Sequence, residues 1–437
     1  MSSDQRFKLF SDPVHGFISV PKNLIMDLIQ TPEVQRLRRI RQLGVGHLVF
    51  PGAEHTRFNH ALGAMALMQD ALASLSEKGT PISPEEQTAA LAAALLHDVG
   101  HGAFSHTLEH QLIADFEHED MSRILLVRLN ERLDGALDRT LAIFDDDYER
   151  PFFHQLVSSQ LDMDRLDYLR RDSFHTGVAE GEVGVQRLIK TMRVHPLDGG
   201  PRSEVMIEAK GIYAVENFLI SRRLMYWQVY LHKTVLAGDE LLRGILHRVE
   251  EHLAAGSSPD WLLRASRSLL FFLRQDIHAD QIDDPTVRDH YLQIDDTDIL
   301  FSLKQWMQGD DPVLADLCRR YINRDFFRLT FLPREPNAPQ VDSWRQQVAD
   351  WLVEQNLAAQ STALDAAQHY LTVDASHHTA YDSNREMIGV LDREENVREL
   401  SEMADTAAIT ALTDFVVKPY VCYPKPVKID VDAVPEG

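Results

Sequence analysis

A mainly α-helical fold with a smaller C-terminal α+β region is what this sequence predicts. Apolar residues recur at helical spacing from about residue 58 to 290. After about residue 325 the pattern changes to short β-rich runs set between prolines and further helical stretches. The chain has 437 residues, of which 44% are hydrophobic, enough for a large core in one to four domains.

The first 20 residues read as an extended, turn-rich arm centred on Asp12-Pro13-Val14-His15-Gly16, since proline favours an extended predecessor and glycine permits an unusual turn. Thr31-Pro32 marks a helix start, with Leu37, Ile40 and Leu43 as its apolar stripe. Residues 60–75 form the next helix, and Ser83-Pro84-Glu85-Glu86 caps another that runs to about 97, where Gly100 and Gly102 break the pattern. Helices are further expected at 118–133, 151–170, 182–194, 208–236, 238–254 and 259–274. Strand character appears at 326–332, 370–373, 388–391 and 415–422, with helices at 342–356 and 396–410 between them. That β-α-β-β-α-β order suggests a small α+β unit of ferredoxin-like kind. The expected division is an arm and first helix over 1–50, a helical core over 51–290 and the α+β region over 291–437.

Lys plus Arg is 44 against 67 for Asp plus Glu, a net charge of −23. Such a surface argues against non-specific binding of nucleic acid or anionic membrane, but leaves room for one small basic pocket. Cys318 and Cys422 are too few for a disulfide framework or a thiolate-rich zinc site. No signal-type apolar block and no membrane-length stretch stand out, so a cytoplasmic protein is expected.

The 20 histidines matter by placement. Chemistry-bearing residues concentrate in Arg57-Phe58-Asn59-His60, in His97-Asp98-Val99-Gly100-His101-Gly102-Ala103-Phe104-Ser105-His106, around Glu117-His118-Glu119, and in Asp162-Met163-Asp164-Arg165-Leu166-Asp167-Tyr168. Two imidazoles and two carboxylates make a mixed N/O ligand set that suits Mn, Fe, Co, Ni, Zn or Mg. Adjacent His97 and Asp98 can both turn toward one ion at a helix end before a glycine.

The series His60, His97-Asp98 and Asp162 resembles the HD-domain metal-dependent phosphohydrolases. Asp12-Pro13-Val14-His15-Gly16, Gln42-Leu43-Gly44, His55-x-Arg57-Phe58-x-His60, Gly100-His101-Gly102-x-Phe104-Ser105-His106 and Asp162-x-Asp164-Arg165-x-Asp167-Tyr168 are similar to the deoxynucleoside triphosphate triphosphohydrolase branch, over roughly residues 7–275. The resemblance implies an HD-domain helical bundle with His60, His97, Asp98 and Asp162 as metal ligands. It implies that His101, His106 and His118 line the phosphates, with His106 as proton donor and Glu109 its acidic partner. Arg57, Arg165, Arg222 and Lys233 would neutralise a polyphosphate. Gln42 and Leu43 would lie near the sugar hydroxyl, Tyr168 and Asp172 along the sugar, and Tyr226 and Tyr230 against the nucleoside. Metal-assisted attack of water on the α-phosphate would yield deoxynucleoside and triphosphate. The alternatives are an HD phosphohydrolase for another nucleotide or phosphate ester, or a nucleotide-binding regulatory protein with little turnover. The resemblance also implies a homo-oligomer, dimer or tetramer, with a nucleotide activator. The basic run Arg36, Arg38, Arg39 and Arg41 reads equally as a regulatory nucleotide site or as solvated charge. His15, His377 and His378 read as non-catalytic.

Overall fold

The computed structural model describes residues 6–196, 203–256, 259–378, 381, 387–403 and 416–431, excluding the side chains of His106 and His378. A central helix, Arg57–Glu77, is buried on nearly every side, as its apolar content on all faces demands. It packs against the helix Pro84–Leu96 on one flank and Met163–Thr176 on another. Ser83 Oγ accepts from Glu86 N at 3.1 Å while Glu86 Oε2 accepts from Ser83 N at 2.8 Å, a reciprocal cap that fixes where the second helix starts. That helix ends at Leu96, so His97 and Asp98 stand at its C-terminal edge and face the other two helices.

The arm is a β-hairpin of β1 (Phe7–Asp12) and β2 (Gly16–Pro21), with Gly16 at φ +73° closing the turn. The expected helix over 151–170 is two helices, Phe152–Val157 and Met163–Thr176. Asp162 separates them: its carboxylate accepts from Ser159 N at 2.8 Å and Arg165 N at 2.6 Å, which starts the second helix afresh. The stretch expected as one helix over 182–194 is the helix Val185–Thr191 followed by β3 (Met192–Pro196), which pairs antiparallel with β4 (Ser203–Glu208). The expected 208–236 helix is Ile212–Met225 running into a π-helical turn, Tyr226–Tyr230, before the long helix Lys233–Ala254.

Toward the C-terminus, β5 (Arg328–Phe331), β6 (Thr372–His378), β7 (Gly389–Leu391), β8 (Val397–Glu399) and β9 (Val416–Tyr423) fall close to the expected runs, and the helix Ala338–Glu354 lies between the first two. They do not build one ferredoxin-like sheet. β9 sits between β5 and β6 in an antiparallel sheet, whereas β7 joins β4 in parallel and carries β8, giving the order β3-β4-β7-β8. Backbone pairing of β7 with a strand nearly two hundred residues earlier is a long-range choice that no local pattern encodes. The expected helix over 396–410 is replaced by β8 and the short helix Leu400–Met403, and its remainder lies outside the described residues. Cys318 and Cys422 are both buried thiols. Among the described residues no helix is long and apolar enough to cross a membrane.

Candidate active site

The three packed helices bring four donors together. Nε2 of His60 and Nε2 of His97 lie 3.2 Å apart. Asp164 Oδ1 is 3.0 Å from the first and 3.4 Å from the second. Asp98 lies beside them, its Oδ1 3.4 Å from His97 Nε2 and its Oδ2 3.7 Å from His60 Nε2, and it also clusters with His101 and His118. Each imidazole donates its other nitrogen elsewhere: His60 Nδ1 to Asp167 Oδ2 at 2.7 Å, His97 Nδ1 to the Ala94 carbonyl at 2.8 Å. That fixes the tautomers, so in the neutral rings both Nε2 lone pairs point at the same small space. Burial opposes a positive charge on His60, but Asp164 and Asp167 outweigh it and push its pKa up to about 10; burial opposes it on His97 too, and Asp98 and Asp164 push that ring up to about 9. With ligand atoms of His60, His97 and Asp164 gathered in one small buried space, the cluster can hold a divalent cation, and the donor set fits Mn, Fe, Co, Ni, Zn or Mg.

Next to it, Asp98 Oδ1 also accepts from His101 Nε2 at 3.3 Å. The His101 and His118 rings stack with centroids 3.5 Å apart. Glu109 Oε1 accepts both His118 N at 2.6 Å and His118 Nδ1 at 2.7 Å. Burial and the neighbouring Arg57 guanidinium hold His101 well below the ordinary imidazole range. Burial also acts on His118, but the bond to Glu109 and the nearby carboxylates outweigh it and hold that ring above the range. Arg57 donates to Asp98 Oδ2 at 2.5 Å and to Ser105 Oγ at 2.9 Å.

A pocket of about 360 Å³ opens beside these groups. Its wall runs from Asp98, His101, His118 and Asp164 past Arg57 and Arg165 to Gln42, Leu43, Tyr168, Asp172, Arg222, Tyr226 and Tyr230. Asp172 is clamped by His55 Nε2 and by the Tyr230 hydroxyl, each at 2.8 Å. Tyr230 meets Tyr168 and Tyr226 edge to face, and the π-helical turn is what places Tyr226 and Tyr230 on this wall.

Residues 57–149 match the HD domain family and residues 183–276 match the HD associated region. The YwfO protein of Bacillus subtilis is 33% identical over 414 residues, covering 91% of this chain and 88% of that one. A crystal structure of a phosphohydrolase from Bacteroides thetaiotaomicron superposes with a TM-score of 0.88 at 40% identity, over 96% of this chain and 100% of that one. The chain belongs to the HD-domain metal-dependent phosphohydrolases. A deoxynucleoside triphosphate triphosphohydrolase SAMHD1 homolog from Dictyostelium discoideum is 33% identical over 257 residues, and this chain spans 47% of its length.

This HD phosphohydrolase departs from the expected ligand set at one position. Asp162 does not face the two histidines; its oxygens cap the helix and take Arg165 Nε at 3.2 Å, and Asp164 occupies the place assigned to it. Burial pushes Asp162 up to about 6, whereas the bonds from His60 and His97 outweigh burial at Asp164 and hold it below the ordinary carboxylate range. Helical spacing carried the signal: Asp164, Tyr168 and Asp172 are four apart on one face, and a cap residue lies off that face. Lys233 is not on the pocket wall; it is exposed with its ammonium 5.3 Å from the Phe331 ring. His106 lies on the 3₁₀ turn Ser105–Thr107, and its side chain is outside the described atoms. Asp167, His55 and Glu119 went unassigned in the sequence: the first two support His60 and Asp172, and the third lies on the pocket wall. The basic run is mostly committed to the fold. Arg36 is buried and donates to the Val99 carbonyl at 3.0 Å, Arg39 pairs with Asp295 and Arg41 with Glu54, while Arg38 lies over the Phe58 ring.

Proposed function

We propose that this phosphohydrolase cleaves deoxynucleoside triphosphates into deoxynucleoside and triphosphate. The observation that carries the reading is a pair of buried atoms on the pocket wall, Arg165 Nη1 and Gln42 Oε1, neither of which has a hydrogen-bond partner. A buried donor or acceptor left unmade costs about 1–3 kcal/mol. A phosphorylated sugar supplies both missing partners, an anionic oxygen for the guanidinium and a hydroxyl for the amide oxygen. Tyr168, Tyr226 and Tyr230 give the far wall an aromatic lining suited to a base, and the volume suits a ligand of nucleotide size.

A divalent cation at His60, His97, Asp98 and Asp164 would supply Lewis acidity and an activated water. His118 and Arg165 place positive charge against the phosphates, and His101 offers a neutral ring beside them. Water attack at the α-phosphorus breaks the bond to the 5′ oxygen, and His106 is the proposed donor of the proton that oxygen takes. Assembly as a dimer or tetramer with a nucleotide activator belongs to the same reading, and light scattering with and without GTP or dNTPs tests it.

The deciding experiment incubates Mn²⁺-supplied protein with single and mixed dNTPs, ribonucleotides and monophosphates, and separates products by chromatography. Deoxynucleoside plus triphosphate supports the reading. Orthophosphate or pyrophosphate release, or turnover of other phosphate esters alone, replaces it with a different substrate for the same centre. Binding with no product from any of them leaves a regulatory protein.

A further inference from the structure

The hairpin turn singled out in the sequence, Asp12-Pro13-Val14-His15-Gly16, has no part in the chemistry above, yet it reaches the metal centre. His15 Nε2 donates to Asp167 Oδ1 at 2.5 Å. The other oxygen of that carboxylate is the one that accepts from His60 Nδ1 at 2.7 Å. Arg171 completes the shell of Asp167, donating from Nε at 2.9 Å and Nη2 at 3.1 Å. Its Nη1 returns to the hairpin, bonding Asp12 Oδ2 at 2.7 Å, and Asp12 Oδ1 accepts Val14 N and His15 N, each at 2.9 Å. The circuit Asp12, His15, Asp167, Arg171 is closed; Asp12, Asp167 and Arg171 are buried and His15 is half-buried.

We propose that His15 is a positioning residue of the metal centre: acting through Asp167, it holds the ring of His60 in the orientation that presents Nε2 to the cation. The inference rests on the metal-dependent centre and not on the identity of the substrate. Among the described residues Asp167 has four donors on two oxygens, and His15 is the only one of them that comes from outside the helix Met163–Thr176 and the ligand itself. Without it Oδ1 keeps a single bond from Arg171, and the carboxylate that holds His60 rests on Arg171 alone. The helix that carries His60 is shaped around the carboxylate that His15 holds. Gly63 lies one turn beyond His60, and a Cβ there would come within 1.9 Å of Asp167 Oδ1 and 2.4 Å of Arg171 Nη2. The ligand-bearing helix therefore has a notch where the Asp167–Arg171 pair sits. Carboxylates that orient a ligating histidine typically contribute 10–100-fold in metal affinity.

The test measures Mn²⁺ affinity by chelator competition in wild type, His15→Ala, His15→Gln and the surface control Lys8→Ala on the same hairpin, with the absorption spectrum of the Co²⁺-loaded proteins alongside. His15→Ala is expected to bind Mn²⁺ more weakly by up to about 10-fold, the low end of what losing the orienting carboxylate itself costs, and to shift the Co²⁺ bands. Gln, which keeps an N–H donor, is expected to recover part of the affinity, and Lys8→Ala to match wild type. Equal affinity and an unchanged spectrum in a folded His15→Ala protein overturn the proposal. So does an equal loss in Lys8→Ala, which would make the effect one of hairpin stability. If His15→Ala does not fold, His15→Leu, which keeps the bulk and removes the N–H donor, decides by the same two readouts. Failure of wild type to bind the ion would instead overturn the metal centre itself.

Discussion

Asp164 Oδ1 lies 3.0 Å from Nε2 of His60, while the neighbouring Asp162 spends both its oxygens on the helix start. Two aspartates two residues apart therefore have separable roles. Asp164→Asn should abolish stoichiometric metal binding and cut phosphohydrolase turnover by at least about 100-fold. Asp162→Ala should keep the metal and lower stability by about 0.5–2 kcal/mol, the usual cost of losing an N-cap. Metal content and urea melts on both variants check this; metal lost only from Asp162→Ala would reverse the assignment.

Gly100 has no side chain because there is no room for one. A Cβ would come within 2.3 Å of the His118 carbonyl oxygen and of Ser122 N, where the helix His118–Arg132 begins. Gly100→Ala should therefore push that helix, and His118 with it, away from the pocket. A drop in turnover with metal binding retained is expected, together with a loss of about 1–3 kcal/mol from overpacking. Parallel kinetics and thermal melts would show it, and an unaffected rate would mean the helix start relaxes freely.

Tyr230 and His55 hold the two oxygens of Asp172 at equal distance. Removing the hydroxyl in Tyr230→Phe deletes one bond to a charged group, worth about 1.5–3 kcal/mol when desolvated. Asp172 then turns in the pocket. The expected result is a fall in kcat/KM of at least about 10-fold toward the preferred nucleotide with unchanged Mn²⁺ affinity. Steady-state kinetics with a chelator titration separates the two.

Acid sensitivity should include the Ser83–Glu86 cap. Burial alone would raise the Glu86 carboxyl, but the Ser83 N–H and the Arg150 guanidinium outweigh it and hold it below the ordinary range. A depressed folded pKa means that its stabilisation is present above the unfolded value, about 4.3, and is lost as pH falls through the folded value. Glu86→Gln should lower stability at pH 7, and that gap should narrow as pH falls below the ordinary carboxylate range. Urea unfolding of both proteins at pH 7, 5 and 3 follows the gap, and a difference that does not vary with pH would remove the charge from the explanation.

Much of this protein was legible before any tertiary structure. The caps at Ser83 and the apolar stripes located most helices, because capping and 3.6-residue periodicity are local properties of the chain. The pairing of His97 with Asp98 at a helix end marked the metal centre for the same reason. What sequence alone did not decide depended on contacts between distant segments. The route of β7 into the sheet of β4 and the departure of Lys233 from the pocket wall both follow from how helices and strands pack. His15 is the clearest case. In sequence it is a turn residue 152 positions from Asp167, and only the folding of the hairpin onto the helix Met163–Thr176 puts its imidazole in hydrogen-bonding contact with the carboxylate that holds His60.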